Sequence, residues 1–191
     1  MSDLRLSGGD LRGRRLRVPH GVRPSEGKVR EALFSIWQQE LPGARLLDLF
    51  AGSGAVGFEA LGRGAAAVVL VEGDPRVART LRDNAASLAL GPDTRIYRLR
   101  LPAGLSVLAE REASFDLVFA DPPYGYGDLC RLVDDAAPLV ATGGSLCLEH
   151  RSRDQPPPAP PGLALLETRR YGESCLTFYG REPIGAPPPT R

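Results

Sequence analysis

From Arg45 onward the apolar residues come in short, nearly continuous runs separated by segments of helical period. The runs at 45–49, 67–71 (Ala-Val-Val-Leu-Val), 94–98, 115–120 (Phe-Asp-Leu-Val-Phe-Ala) and 145–149 read as strands. The segments 54–63, 75–88, 103–110 and 127–137 read as helices, the second opened by Asp74-Pro75, a cap followed by a proline at the first helical position. Strands that are apolar throughout and alternate with helices predict a parallel sheet covered on both faces. Upstream, Val29, Ala32, Leu33, Ile36 and Trp37 recur at helical spacing and form one apolar stripe. That helix is expected to enter at Arg23-Pro24-Ser25, with Ser25 as N-cap, and to end at Pro42-Gly43. Trp37 sits on the stripe, which favours a core role over a base-stacking surface.

The ends of the chain have a different texture. Residues 4–19 alternate short apolar and basic positions around Gly8-Gly9 and Gly13, a pattern that suits a small β-hairpin or an extended arm. Pro156 to Pro161 carry five prolines in six positions and read as a rigid connector, with a proline-motif ligand as the alternative. Beyond it, 163–171 and 173–179 read as two strands joined tightly at Gly172 and pairing antiparallel at the sheet edge. The proline-rich tail from Glu182 is expected to be disordered. The reading is therefore an α/β, doubly wound, mostly parallel sheet with an antiparallel edge strand. It divides the chain into an N-terminal basic arm or hairpin (1–24), one main domain (25–181) and a tail (182–191).

A chain of 191 residues buries roughly 70% of its unfolded surface in one domain, so its core needs no metal or disulfide. No apolar run reaches membrane-spanning length and the first residues lack a signal peptide's apolar segment, so a cytoplasmic protein with no membrane partner is expected. Cys130, Cys147 and Cys175 are widely spaced and read as reduced core residues. His20 and His150 show no ligand spacing, and no metal site is expected.

Charge alters the picture more than composition does. The net charge of +1 hides eight basic against three acidic side chains in residues 1–30, a net of +5, and sixteen against twenty in the remainder, a net of −4. Lys28 is the only lysine; the rest are arginines, which fork onto phosphates. Arg12, Arg14, Arg15, Arg17, Arg23, Lys28 and Arg30 are thus candidates for binding a polyanion, the alternative being a solvated charge run.

The candidate chemistry begins at Leu46–Gly57, where a strand ends at Asp48 and a glycine turn opens a helix. Gly52, Gly54 and Gly57 satisfy G-x-G-x-x-G, and Glu72 follows at the spacing of a ribose ligand. In a dinucleotide fold the strand runs almost directly into the first glycine and a pyrophosphate rests on the helix. Here Leu49-Phe50-Ala51 intervene after Asp48, whose carboxylate would repel a pyrophosphate but accept from an ammonium. S-adenosylmethionine, with its α-amine and sulfonium, fits. Gly57 then reads as a helix-packing position. Glu72 would accept the ribose hydroxyls, bonds to a charged group contributing roughly 1.5–3 kcal/mol; its alternative is a strand-end carboxylate facing water.

The second constellation is Asp121-Pro122-Pro123-Tyr124, directly after the strand 115–120. Two prolines fix the backbone and leave carbonyls as acceptors, Asp121 adds a carboxylate, and Tyr124 offers a flat face. The set complements a planar group bearing an –NH₂, whose hydrogens the acceptors would draw out of plane. Taken without its neighbours the tetrapeptide could be a simple turn.

Asp121–Tyr124 together with Asp48-Leu49-Phe50-Ala51-Gly52-Ser53-Gly54 resembles the class I S-adenosylmethionine-dependent amino-methyltransferases. Gly8-Gly9, Arg12-Gly13-Arg14, Arg23-Pro24 and Val29-Arg30-Glu31-Ala32-Leu33-Phe34 are similar to the RsmD family, bacterial enzymes that methylate guanine N2 in small-subunit (16S) ribosomal RNA. The resemblance spans about residues 5 to 180 and implies the Rossmann-like class I methyltransferase fold with seven strands, a preference for the assembled small subunit and a target guanine presented in an RNA loop; a monomer is expected. It places Asp48, Phe50, Gly52, Ser53, Gly54 and Glu72 at the cofactor, Asp121, Pro122 and Tyr124 at the reacting base, and Pro123 with the basic residues above at the RNA. One departure stands out: Arg98-Leu99-Arg100-Leu101-Pro102 occupies a segment where the family often carries an acidic residue for the adenine amine. Methylation of adenine N6 or of a protein glutamine, and an RNA-binding factor without catalysis, remain the alternatives; a nicotinamide oxidoreductase leaves Asp121–Tyr124 without a role.

Overall fold

A computed structural model describes residues 2–19 and 27–182. Arg23, the proposed cap Ser25 and the tail beyond Glu182 lie outside them. Seven strands form one sheet in the order β5 (Thr94–Tyr97), β4 (Ala67–Val71), β3 (Arg45–Leu49), β6 (Phe115–Ala120), β7 (Val140–Arg151), β9 (Ser174–Gly180), β8 (Ala164–Tyr171). The first five are parallel; β9 runs antiparallel between β7 and β8, so the strand of opposite direction lies one in from the edge.

Helices cover both faces because alternate strand residues point opposite ways. Leu46, Val68, Leu70 and Phe119 pack with α1 (Gly27–Ile36), α2 (Ala55–Gly62) and α3 (Pro75–Ser87). Leu47, Leu49, Val69 and Val118 pack on the other face with α4 (Leu105–Arg111) and α5 (Leu129–Ala136). Trp37 is a core residue, 1% exposed, its Nε1 donating to Ser145 Oγ at 3.1 Å. β7 is longer than the apolar run 145–149. Its start, Val140 to Gly144, carries two glycines and breaks the apolar run, and Gly144 passes so close to β6 that a Cβ would lie 2.6 Å from the Asp116 carbonyl. The connector is held where the Tyr179 hydroxyl donates to the Pro157 carbonyl at 2.8 Å. Cys147 and Cys175 are buried, whereas Cys130, expected in the core, is exposed on the solvent side of α5.

At the N-terminus β1 (Ser2–Arg5) and β2 (Arg15–Val18) form a two-stranded antiparallel hairpin. It is seated on the body: Leu6 and Leu16 belong to the same core as Trp37 and Phe58. At the turn, Asp10 N–H donates to the Gly62 carbonyl at 2.7 Å, and Gly9, at φ 66°, lies too close to that carbonyl for any side chain. The anchor is Glu59 of α2, fully buried, which accepts from Ser7 N at 3.0 Å, Ser7 Oγ at 2.8 Å, Arg30 Nε at 2.9 Å and Arg63 Nη2 at 2.6 Å. Burial opposes its ionisation, but the Ser7 and Arg63 hydrogen bonds and the Arg30 charge outweigh burial and hold the carboxyl below its ordinary range.

Arg30 departs from the expectation that it binds RNA. It is 3% exposed, bonded to Glu59 and, through Nη2, to the Arg5 carbonyl at 3.1 Å. Its guanidinium is walled off from any polyanion and belongs to the hairpin anchor.

Candidate active site

Strand register brings the expected residues to one level. Leu49 of β3 pairs with both Val71 of β4 and Ala120 of β6, so Phe50, Glu72 and Asp121 are the next residues on three adjacent strands. With neighbouring strands about 4.8 Å apart, the backbones of Glu72 and Asp121 flank the β3 turn at roughly 10 Å from each other. Asp121 N–H donates to the Leu49 carbonyl at 3.4 Å and Ala51 N–H to the Val71 carbonyl at 2.9 Å, which ties the three strand ends together.

The turn between them is wound in the left-handed region at Phe50 (φ 64°), Gly52 (φ 55°) and Gly54 (φ 84°). A left-handed non-glycine residue is costly and persists where its surroundings over-determine it. Phe50 is held by packing edge-on against Tyr126, ring centroids 5.3 Å apart. Gly54 is required by contact as well as by φ, since a Cβ would come within 2.3 Å of Phe58 and 2.6 Å of Leu81. Ser53 is buried, and its carbonyl accepts from Asn84 Nδ2 at 2.9 Å.

Asp48 lies beneath this turn, 2% exposed, with Oδ2 accepting from Gly57 N–H at 3.0 Å in the first turn of α2. Burial, opposed by that hydrogen bond and reinforced by the Glu72 charge, pushes its pKa up to about 7. Gly57 is a tight packing position, where a Cβ would sit 2.8 Å from the Leu70 side chain, and its N–H is the group that holds the Asp48 carboxyl. Glu72 is partly exposed and fixed at both oxygens, Oε2 by Gly52 N–H at 3.1 Å and Oε1 by Asp74 N–H at 2.8 Å. Each carboxylate oxygen keeps a further acceptor site, which suits a vicinal diol.

Beyond β6, Asp121 is partly exposed, Pro122 buried, Pro123 exposed, and Tyr124 40% exposed. The Arg151 guanidinium, at the end of β7, lies over the Tyr124 ring at 4.1 Å. In the segment that departs from the family, Arg98 and Arg100 are exposed while Leu99 and Leu101 pack on the core. Leu99 and Arg100 backbone press against Gly73, where a Cβ would lie 3.3 Å from the Leu99 carbonyl. Among the described residues no group of His, Cys, Asp and Glu is placed to hold a metal ion, and no helix is long and apolar enough to cross a membrane.

Of the basic candidates, Arg12, Arg14, Arg15, Arg17 and Lys28 are exposed. Asn84, not singled out by sequence, connects the hairpin to the turn: Oδ1 accepts from Arg17 N–H at 3.0 Å while Nδ2 donates to the carbonyls of Arg17 and Ser53, each at 2.9 Å. Its signal was a polar residue on the buried stripe Val77, Ala78, Leu81, Leu88. Arg151 carried no such signal.

The model of the family described as Conserved hypothetical protein 95 matches residues 4–180. The chain belongs to this family, the RsmD family that its motifs resemble. An RsmD relative, the Ribosomal RNA small subunit methyltransferase D of Escherichia coli (strain K12), is 34% identical over 190 residues, covering 95% of this chain and 92% of that protein. The solved E. coli protein YhhF superposes with a TM-score of 0.83 at 34% identity, over 95% of this chain and 99% of that one. SMU.776, solved as a complex with SAH, shares the fold at a TM-score of 0.66 and 12% identity, over 84% of this chain and 50% of that chain.

Proposed function

We propose that this protein transfers a methyl group from S-adenosylmethionine to the exocyclic N2 of a guanine in small-subunit ribosomal RNA, acting as a monomer on the assembled subunit. The observation that carries the reading is the common level of Glu72, the Phe50–Gly54 turn and Asp121–Tyr124 across three strand ends, with Glu72 on one side of the turn and Asp121–Tyr124 on the other.

The residues present fit the cofactor: Glu72 is pre-oriented for two hydroxyls, and Asp48, whose charge develops as pH rises past about 7, lies below a turn whose backbone is wound tightly by Phe50, Gly52 and Gly54. When bound, S-adenosylmethionine supplies a methyl carbon activated by a sulfonium. The rest falls to the chain. Tyr124 stacks the guanine and Pro123 packs beside it. Asp121 and the Pro122 carbonyl accept the two N2 hydrogens, which draws the nitrogen lone pair out of conjugation and aims it, and the Asp121 carboxylate takes the proton that N2 sheds once it carries the methyl group. Positioning of this kind accounts for much of the rate, without a covalent enzyme intermediate. Basic side chains of the hairpin, with Arg23 and Lys28, hold the RNA.

Nucleoside analysis of small-subunit RNA from cells lacking the protein should show one N2-methylguanosine missing, restored by the wild-type gene. Purified Asp121→Ala should fold and bind cofactor yet lose on the order of 100-fold or more in transfer to undermethylated subunits. An intact N2-methylguanosine complement, or a missing N6-methyladenosine in its place, would redirect the assignment of substrate; a fully active variant would remove Asp121 from the mechanism.

A further inference from the structure

The basic residues of the hairpin do not end at the hairpin. On α3, Arg76, Arg79 and Arg82 are all exposed and form no ion pair among the described residues. At about 100° per residue they fan around the side of α3 opposite the buried Val77, Leu81 and Asn84. Asp83 is the one acidic side chain within the helix, which leaves a net of +2 there.

Two features set these arginines apart from ordinary solvated charge. Arg76 lies in the first turn of α3, where the helix dipole disfavours a cation and where the one neighbouring acid, the N-cap Asp74, is engaged by the backbone N–H groups of Arg76 and Val77. The second is the firm seating of the helix that carries them. Arg14 Nη2 donates to the Ser87 carbonyl at the end of α3 at 2.7 Å, and Asn84 grips both backbone groups of Arg17 while holding Ser53 in the candidate cofactor turn. Hairpin, α3 and turn therefore form one surface, and α3 begins next to Glu72, through the Asp74 N–H bond to its carboxylate. At the opposite edge of the sheet the arrangement differs: Arg169 of β8 is paired with Glu167 at 2.7 Å.

We propose that the RNA-binding surface continues from β2 onto the exposed face of α3, with Arg76 and Arg79 contacting the phosphate backbone of the strand that leads away from the target base. This rests on the ribosomal-RNA methyltransferase reading. A stripe of arginines without ion pairs, carried on a firmly seated helix of an otherwise acidic body, suits a phosphate backbone, and it locates the flanking RNA on the β4–β5 side of the sheet.

The test compares the full chain with Arg76→Ala/Arg79→Ala and with Arg170→Ala on β8 as a control, using naked small-subunit RNA fragments and undermethylated subunits as probes. The α3 variant should bind RNA about tenfold more weakly at low salt, with a log K against log[salt] slope flatter by about 1.4, the value for two phosphate contacts on single-stranded RNA. Its melting temperature and its calorimetric affinity for S-adenosylmethionine should stay at wild-type values, and Arg170→Ala should match wild type throughout. Unchanged affinity and slope in the α3 variant would overturn the proposal while leaving the enzyme's activity, and so the functional reading, intact. Weakened binding to subunits with unchanged binding to naked RNA would overturn it too, since a protein surface would then face α3. Failure of the wild-type chain to methylate or bind RNA at all would instead strike the functional reading.

Discussion

Asp48 shows how burial changes what a carboxylate can do. In the sequence it is the acid of a cofactor turn; in the fold it is a nearly sealed group with one oxygen committed to Gly57 N–H and a pKa of about 7. The linkage has a definite sign. The folded protein keeps the Asp48 proton up to about pH 7, whereas the unfolded chain releases it near the ordinary value of 3.8, so between these the native state binds more protons and loses stability as pH rises. Above about pH 7 the penalty is complete. Asp48→Asn retains an acceptor for Gly57 and has nothing to ionise, so its melting temperature relative to wild type should climb from about pH 4 to about pH 7 and then level off. A difference that is constant with pH would mean that Asp48 is ionised throughout. On the proposed role of Asp48 at the cofactor, affinity for S-adenosylmethionine should improve as pH rises through neutrality.

Among the elements, the hairpin illustrates how a polar anchor integrates a segment that could have been a loose arm. Glu59 holds Ser7, Arg30 and Arg63 at once, and removing it leaves Arg30 buried at 3% exposure without its partner. Truncating one partner of a buried pair costs about 3–5 kcal/mol, so Glu59→Ala should lower stability by that order in denaturant titration. The pH dependence follows from a lowered pKa: the stabilisation is complete above the unfolded value of 4.5 and disappears as pH falls through the lower folded value. Wild type should therefore lose its advantage over Glu59→Gln in acid. An advantage that persists unchanged there would show that Glu59 acts by packing alone.

For the molecule as a whole, the separation of a basic N-terminal region from an acidic remainder predicts salt-sensitive association with RNA. If the hairpin alone neutralises about four phosphates of a single-stranded loop, log K should fall with log[salt] at a slope near −3, and the α3 stripe would steepen it. Salt-independent binding would exclude both. The sequence by itself determined the strand–helix alternation, the antiparallel C-terminal pair and the two motifs, because these are local: each rests on apolar periodicity or on residues adjacent in the chain. Glu72 and Asp121 were legible as strand-end carboxylates for the same reason, whereas Asp48, expected at a strand end, lies within β3 opposite Leu70 and Phe119. The common level of Phe50, Glu72 and Asp121 was not legible, since it depends on the pairing of Leu49 with Val71 and Ala120. The chain also left open which arginines face solvent. Arg12, Arg14 and Arg30 look alike in a charge count, yet only burial against Glu59 assigns Arg30 to the interior, and only the approach of β2 to α3 through Asn84 joins the hairpin to the Phe50–Gly54 turn. Periodicity reports which side of an element is apolar; which element covers that side, and which charge is enclosed with it, is decided by contacts between residues far apart in the chain.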